Sequence, residues 1–354
     1  MHSKFQARRQ TLLSLRNILV GPAFLSTTSL AFDTLGQNET NHPFHDLTLS
    51  HSGSQRSLSI RVRLPLSQKK SPLIIYSPGL GSGISNGQAW CIAWQKAGYV
   101  VITISHPISN DSIWDTTHTL FLNNMHESIA SPQYDLRVKD CQFVITQALL
   151  PQALQAPELR SLSLNEVIDP DRIGIAGHSF GALTVQSISG QSLKSQIDPR
   201  IKAAIALSPG AMTIQSAKKM SAVQIPFFCI MGDHDNYVTF KKGESQIRLG
   251  MPLEKRKTVF DYLPKGQRQL LIIHHADHMS FAGEAIDSNS FSRDINNELV
   301  TDQATWDKVS NVTTTFWNRY LLQTNSNINL DPQKNLYKNE VQKLLSPQDI
   351  SDIS

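Results

Sequence analysis

Three residues in this chain have the types and spacing for nucleophilic chemistry. Ser179 stands between two glycines in Gly177-His178-Ser179-Phe180-Gly181, at the end of the apolar run RIGIAG. The run PFFCIMG is followed by Asp233, His234 and Asp235, and the run LLII by His274, His275, Ala276, Asp277 and His278. A serine hydroxyl is a weak nucleophile until a neighbouring base takes its proton, and the base works best when a third group fixes its tautomer. Each residue alone has a plainer role: a glycine-bounded turn, an aspartate capping a strand end, a structural histidine. Together they follow predicted strands in the order serine, aspartate, histidine, which is the chain order of one class of hydrolase triads. That order on two separate strand ends also favours a triad over a metal cluster. No metal and no cofactor are expected.

Elements must hold these side chains. RIGIAG reads as a buried strand, and ALTVQSISG as a helix ending at Gly190. A strand, a tight turn with serine at its apex and a helix form a nucleophile elbow, where small flanking residues let strand and helix approach closely. PLIIYSPGLGSG reads as a buried strand running into a glycine-rich loop, GQAWCIAWQKAGY as a helix and VVITIS as a further buried strand. YDLRVKDCQFVITQALL has helical periodicity, and IKAAIALS, PFFCIMG and LLIIHH are further apolar runs. Strands that are continuously apolar and alternate with helices imply an α/β fold, with a mostly parallel sheet covered on both faces. DLTLS and RSLSIRVRLPL alternate apolar and polar residues and predict an antiparallel edge at the N-terminal side. Residues 105–130 read as a polar, irregular insertion. That insertion and residues 236–262 are expected to wall a pocket. WDKVSNVTTTFWNRYLL fits a closing helix.

The 354 residues carry a net charge of +4, with 40% hydrophobic and 18% charged residues, the balance of a globular protein. No basic stripe with interleaved aromatics is present, so nucleic acid is not an expected partner. Cys91, Cys141 and Cys229 form no CxxC pair, and nothing demands a disulfide. Near the N-terminus, Arg8-Arg9 precede an apolar stretch and then Ser29-Leu30-Ala31, a small-x-small pattern. This predicts an export signal over residues 1–31, a mature chain beginning near Phe32 and a location outside the cytoplasm. Arg16 interrupts the apolar stretch, as it would in a cytosolic amphipathic helix. A catalytic domain is expected over residues 32–322. Residues 323–354 turn polar and asparagine-rich and read as a tail, with NEVQKLL as a short docked helix.

The stretches YSPGLGSG, RIGIAGHSFGALT, DPRIKAAIALSPGAM, IPFFCIMGDHD and ADHMSFAG carry a resemblance. Over roughly residues 58–320 the chain resembles the α/β-hydrolases. More narrowly, it resembles the dienelactone-hydrolase-like proteins related to platelet-activating-factor acetylhydrolases and cutinase-type esterases. The resemblance implies an α/β-hydrolase fold and a serine carboxylic-ester hydrolase acting on short-acyl or truncated lipid-type esters. It implies Ser179 as nucleophile, His278 as base and Asp235 as the acid that orients it. Backbone N–H groups of Leu80 and Phe180 would form the oxyanion hole. The partner would be a small-molecule ester, with transient contact at a lipid surface.

Three departures qualify it. Relatives usually have histidine where this chain has Pro78, which lacks a backbone donor. True dienelactone hydrolases use a cysteine nucleophile, so the serine here argues against that activity. Some relatives place the acid after the strand that follows the nucleophile helix. There this chain has Ser208 and no Asp or Glu from 203 to 214. The acid must then be Asp233 or Asp235. The family pattern selects Asp235 and leaves Asp233 to cap a turn. Acyl transfer or peptide cleavage on the same triad, and a non-catalytic binding protein on the same fold, remain alternative functions.

Overall fold

The computed structural model describes residues 42–50, 56–66, 70–115, 117–191, 196–242, 244–284, 291–293 and 303–323. The expected export signal and all but the first residue of the expected tail lie outside them. In chain order the elements begin with β1 (Phe44–Ser50), β2 (Ser57–Arg63), β3 (Ser71–Ser77), α1 (Gln88–Lys96) and β4 (Val100–Ser105). Next come α2 (His118–Ser128), α3 (Ser131–Leu149), α4 (Leu164–Val167), β5 (Ile168–His178), α5 (Phe180–Gln186) and β6 (Ile201–Leu207). Then follow α6 (Ile214–Lys218), β7 (Phe227–His234), β8 (Tyr237–Lys242), β9 (Ser245–Gly250), α7 (Leu253–Asp261) and β10 (Arg268–Asp277). The last two are β11 (Phe291–Arg293) and α8 (Gln303–Leu321).

Eight strands form one sheet in the order β1-β2-β4-β3-β5-β6-β7-β10. From β4 to β10 every pairing is parallel, while β1–β2 and β2–β4 are antiparallel. This is the mostly parallel α/β sheet with an antiparallel N-terminal edge that the apolar runs predict. Adjacent residues of one strand enter opposite layers. Leu73 and Ile75 belong to one apolar layer with Val138, Cys141 and Val144 of α3, Val185 of α5 and Val259 of α7. Ile74 and Tyr76 pack with Trp90 and Trp94 of α1 and Phe316 and Trp317 of α8. Covering both faces is why the central strands read as unbroken apolar runs rather than alternating ones. Each fully buried side chain of this size contributes about 1.5–3 kcal/mol. On the α1–α8 side, Trp94 meets Trp317 edge-on at 5.8 Å and donates its indole N–H to Thr313 Oγ1 at 2.9 Å. All three cysteines are buried and unpaired.

One segment differs from its reading as irregular chain, and another, read only as a pocket wall, has structure of its own. Residues 105–130 contain a 3-10 turn, Asp111–Trp114, and the helix α2. Its apolar positions Phe121 and Met125 are four apart and face a small cluster with Trp114, Phe180, Val238 and Phe240. The segment after β7 forms a second, antiparallel sheet in the order β11-β8-β9. Among the described residues, no helix is long and apolar enough to cross a membrane.

Candidate active site

The parallel strands end along one edge of the sheet, where ligands of open α/β sheets bind. β5 stops at His178 and α5 starts at Phe180, which leaves Ser179 alone at the turn with φ 55° and ψ −114°. A non-glycine residue held there costs about 1–3 kcal/mol, which the packed surroundings must supply. The two flanking glycines are required by contact. A Cβ on Gly181 would lie 1.8 Å from the Ser77 carbonyl oxygen, and one on Gly177 would lie 2.6 Å from the Gly181 backbone. The Ser179 N–H donates to the Leu207 carbonyl at 2.9 Å and ties the turn to the end of β6.

His278 reaches this turn because β10 ends irregularly. Its register against β7 shifts between Ile273 and Asp277, and His275 takes φ 62° within the shift. Asp233 braces the irregularity. Its Oδ1 accepts the His275 N–H at 2.7 Å, and its Oδ2 pairs with His274 Nδ1. Asp233 is therefore a brace across two strands rather than the cap of its own turn, because it still lies within β7. Asp235, two residues on, is fully buried. His278 Nε2 lies 2.7 Å from Ser179 Oγ, and Nδ1 lies 2.8 Å from Asp235 Oδ1. With Asp235 ionised, Nδ1 carries the proton, and Nε2 is left to accept from the serine hydroxyl.

Arg256 of α7 is a member of this cluster that the sequence reading missed. It is buried, and its Nε is 2.9 Å from Asp235 Oδ1. Nε also donates to the Asp235 carbonyl at 2.8 Å, Nη1 meets the carbonyls of Ser208 and Pro209, and Nη2 that of Asn236, each at 3.1 Å. Nη2 also stands 3.2 Å from His278 Nδ1. Both nitrogens then carry hydrogens, so this is a contact between donors and not a hydrogen bond. Burial pushes the Asp235 carboxyl up, but Arg256 and then His278 more than offset it and hold the pKa at about 2. Lys255 and Lys257 flank Arg256 in the sequence, so residue type alone does not mark it.

The low pKa of Asp235 makes a stability prediction. A carboxyl lower in the folded state than its ordinary value near ~3.9 stabilises the fold above that value. The contribution is lost as pH falls towards 2. Arg256→Met leaves a buried carboxylate without its cation, which costs about 3–5 kcal/mol near neutral pH. In the variant, Asp235 protonates at higher pH, so the stability gap to the wild type should narrow between pH 6 and pH 3. Urea midpoints across that range measure it, and a constant gap would contradict the pairing.

His178 is also buried, and burial drives its pKa well below the ordinary value. The neutral ring donates from Nε2 to the His278 carbonyl at 2.9 Å and so holds the backbone of the candidate base. Phe180 opens α5, where helix N–H groups lack internal partners. The loop after β3 lies beside the turn, since a Cβ on Gly79 would sit 3.6 Å from the Ser179 Cβ. Ser208 follows β6 with φ 52° and carries no carboxylate, so the carboxylate beside His278 comes from the turn just after β7.

Ser179 and His278 line a cavity of about 280 Å³. Leu80, Ile129, Leu183, Val238, Phe240 and Leu249 make much of its wall. Residues from both predicted wall segments are present. Among the described residues, no group of three or more His, Cys, Asp or Glu converges as metal ligands would.

No family model matches the chain. The chain is 25% identical to the platelet-activating factor acetylhydrolase of the dog, Canis lupus familiaris, over 60% of this chain and 48% of that protein. It thus spans about half the length of the curated relative it matches.

Proposed function

We propose that this chain is a serine hydrolase of carboxylic esters. The observation that carries the reading is the unbroken line from Ser179 Oγ through His278 to Asp235, at 2.7 and 2.8 Å, at the wall of a mostly apolar cavity. His278 Nε2 takes the hydroxyl proton as Ser179 Oγ attacks the ester carbonyl carbon. The carbonyl oxygen gains the negative charge and is held by the N–H groups of Phe180 and Leu80. Collapse of this intermediate expels the alcohol, which takes the proton back from His278. A water that His278 deprotonates then attacks the acyl-enzyme, and the acid leaves as Ser179 Oγ takes that proton back from His278. Asp235 stays ionised and stabilises the imidazolium in both halves. The likeness to an acetylhydrolase supports the same reaction class.

The small cavity supports short acyl groups. Each methylene that enters an apolar wall contributes about 0.8 kcal/mol, or roughly fourfold in kcat/KM, until the chain outgrows the space. A panel of nitrophenyl esters should show rising kcat/KM from acetyl towards hexanoyl and a fall for long chains. A clear preference for a sixteen-carbon chain would overturn the short-acyl assignment. No turnover of any ester would overturn the reaction class.

A further inference from the structure

A second serine–histidine–aspartate line lies under the first. Ser77 Oγ is 3.0 Å from His106 Nε2, and His106 Nδ1 is 2.9 Å from Asp140 Oδ2. It is no second active site, because Ser77 and His106 are sealed inside the fold. The Ser77 hydroxyl also accepts from Arg137 Nη2 at 3.0 Å. The proton order follows from these contacts. Arg137 donates to Ser77, Ser77 to Nε2 of His106, and Nδ1–H of His106 to Asp140. Burial lowers the His106 pKa to about 4, which keeps the ring neutral and the order fixed. Arg56 closes the far end, with Nη2 at 2.8 and 3.1 Å from the two Asp140 oxygens.

Arg137, on α3, is the near end, and its remaining contacts converge on the loop and the helix beside Ser179. Nη2 also donates to the Pro78 carbonyl. Nη1 donates to Ser109 Oγ at 2.8 Å, and the Ser109 carbonyl accepts the Gly81 N–H at 3.0 Å. Leu80 is therefore bracketed, by Pro78 before it and by Gly81 after it. Nε donates to Thr184 Oγ1 at 3.1 Å, and the guanidinium lies 4.7 Å from the centre of the Phe180 ring. Thr184 and Phe180 belong to α5. One buried side chain thus joins the loop that carries Leu80 to the helix that carries Phe180. Pro78 has no N–H to hold it, so its carbonyl is the polar handle available to this clamp.

We propose that Arg137 is a positioning residue that sets the Leu80 and Phe180 donors against each other, held from behind by Ser77, His106 and Asp140. This rests on the ester-hydrolase reading. Oxyanion donors act only when aimed at the site where charge develops, so a shift of a few tenths of an ångström lowers kcat more than it weakens substrate binding. A lysine at this position keeps the charge but lacks the planar fork that meets these partners together.

The test compares wild type, Arg137→Lys and His106→Asn. Each is assayed on a short nitrophenyl ester and on an alkyl trifluoromethyl ketone, which adds reversibly to Ser179 and places an oxyanion in the hole. Arg137→Lys should lower kcat by roughly 10–10²-fold. KM should stay within about threefold, and ketone affinity should fall in step with kcat. His106→Asn should move both quantities the same way by less. It also serves as the test if thermal melting shows Arg137→Lys unfolded. A folded variant with unchanged kcat, or with a loss of kcat and full ketone affinity, would overturn the proposal. An inert wild type would instead overturn the ester-hydrolase reading beneath it.

Discussion

Ser179→Ala is expected to lower kcat on a short ester by about 10⁶-fold, the loss typical when a serine nucleophile is removed from a triad. The size follows from the mechanism. Without Oγ there is no acyl-enzyme, and the only attacking group left is water that nothing positions. The residual rate should still exceed the uncatalysed one by ~10³-fold, because the proposed Leu80 and Phe180 donors remain. The fold should be unaffected. Alanine meets the same positive φ as serine, and the glycine contacts on either side do not involve the hydroxyl. Thermal melting within a few degrees of wild type, beside a kcat lowered by six orders, is the expected pair of results. A variant with a tenth of the wild-type rate would show that Ser179 does not carry the reaction.

The second large effect is Asp235→Asn, for which kcat should fall by ~10³–10⁴-fold. An amide in place of the carboxylate can donate to Nδ1, which leaves the proton on Nε2, the wrong nitrogen for accepting from Ser179. Stability should fall modestly. Arg256 loses its carboxylate but keeps four backbone carbonyls as acceptors. Asp233→Asn is the control from the same strand end. Its remaining carbonyl oxygen can still accept the His275 N–H and hold the bend of β10, so the loss should be tenfold or less. If Asp233→Asn proved the more severe of two folded variants, Asp235 would not be the acid.

The contrast between these two aspartates shows what the chain discloses by itself. Strand runs such as VVITIS and IKAAIALS are visible because both faces of a parallel strand are buried. The elbow is visible because only glycine fits at positions 177 and 181. Once the strand ends are known, His278 follows and the acid narrows to Asp233 or Asp235; the family resemblance then selects Asp235. Arg256 and Arg137 do not follow. Their roles depend on where α7 and α3 dock, and an arginine bound for the interior looks in sequence like one on a solvated face. The bend of β10 is hidden for a similar reason, since LLIIHHAD reads as one straight strand with no glycine to mark the break. Helix α2 is masked by the polar residues that surround its inward apolar positions Phe121, Leu122 and Met125. The small sheet of β8 and β9 is legible only in part, through the alternation of Tyr237, Val238, Thr239 and Phe240.

The most direct test of the central claim is labelling with a fluorophosphonate, which bonds to a serine oxygen only where a base and an oxyanion site activate it. Mass spectrometry of the digested adduct should locate one label per chain, on Ser179, and His278→Ala should abolish labelling in a protein that still melts cooperatively. No adduct on the folded wild type, or an adduct on another serine that persists in His278→Ala, would contradict the account.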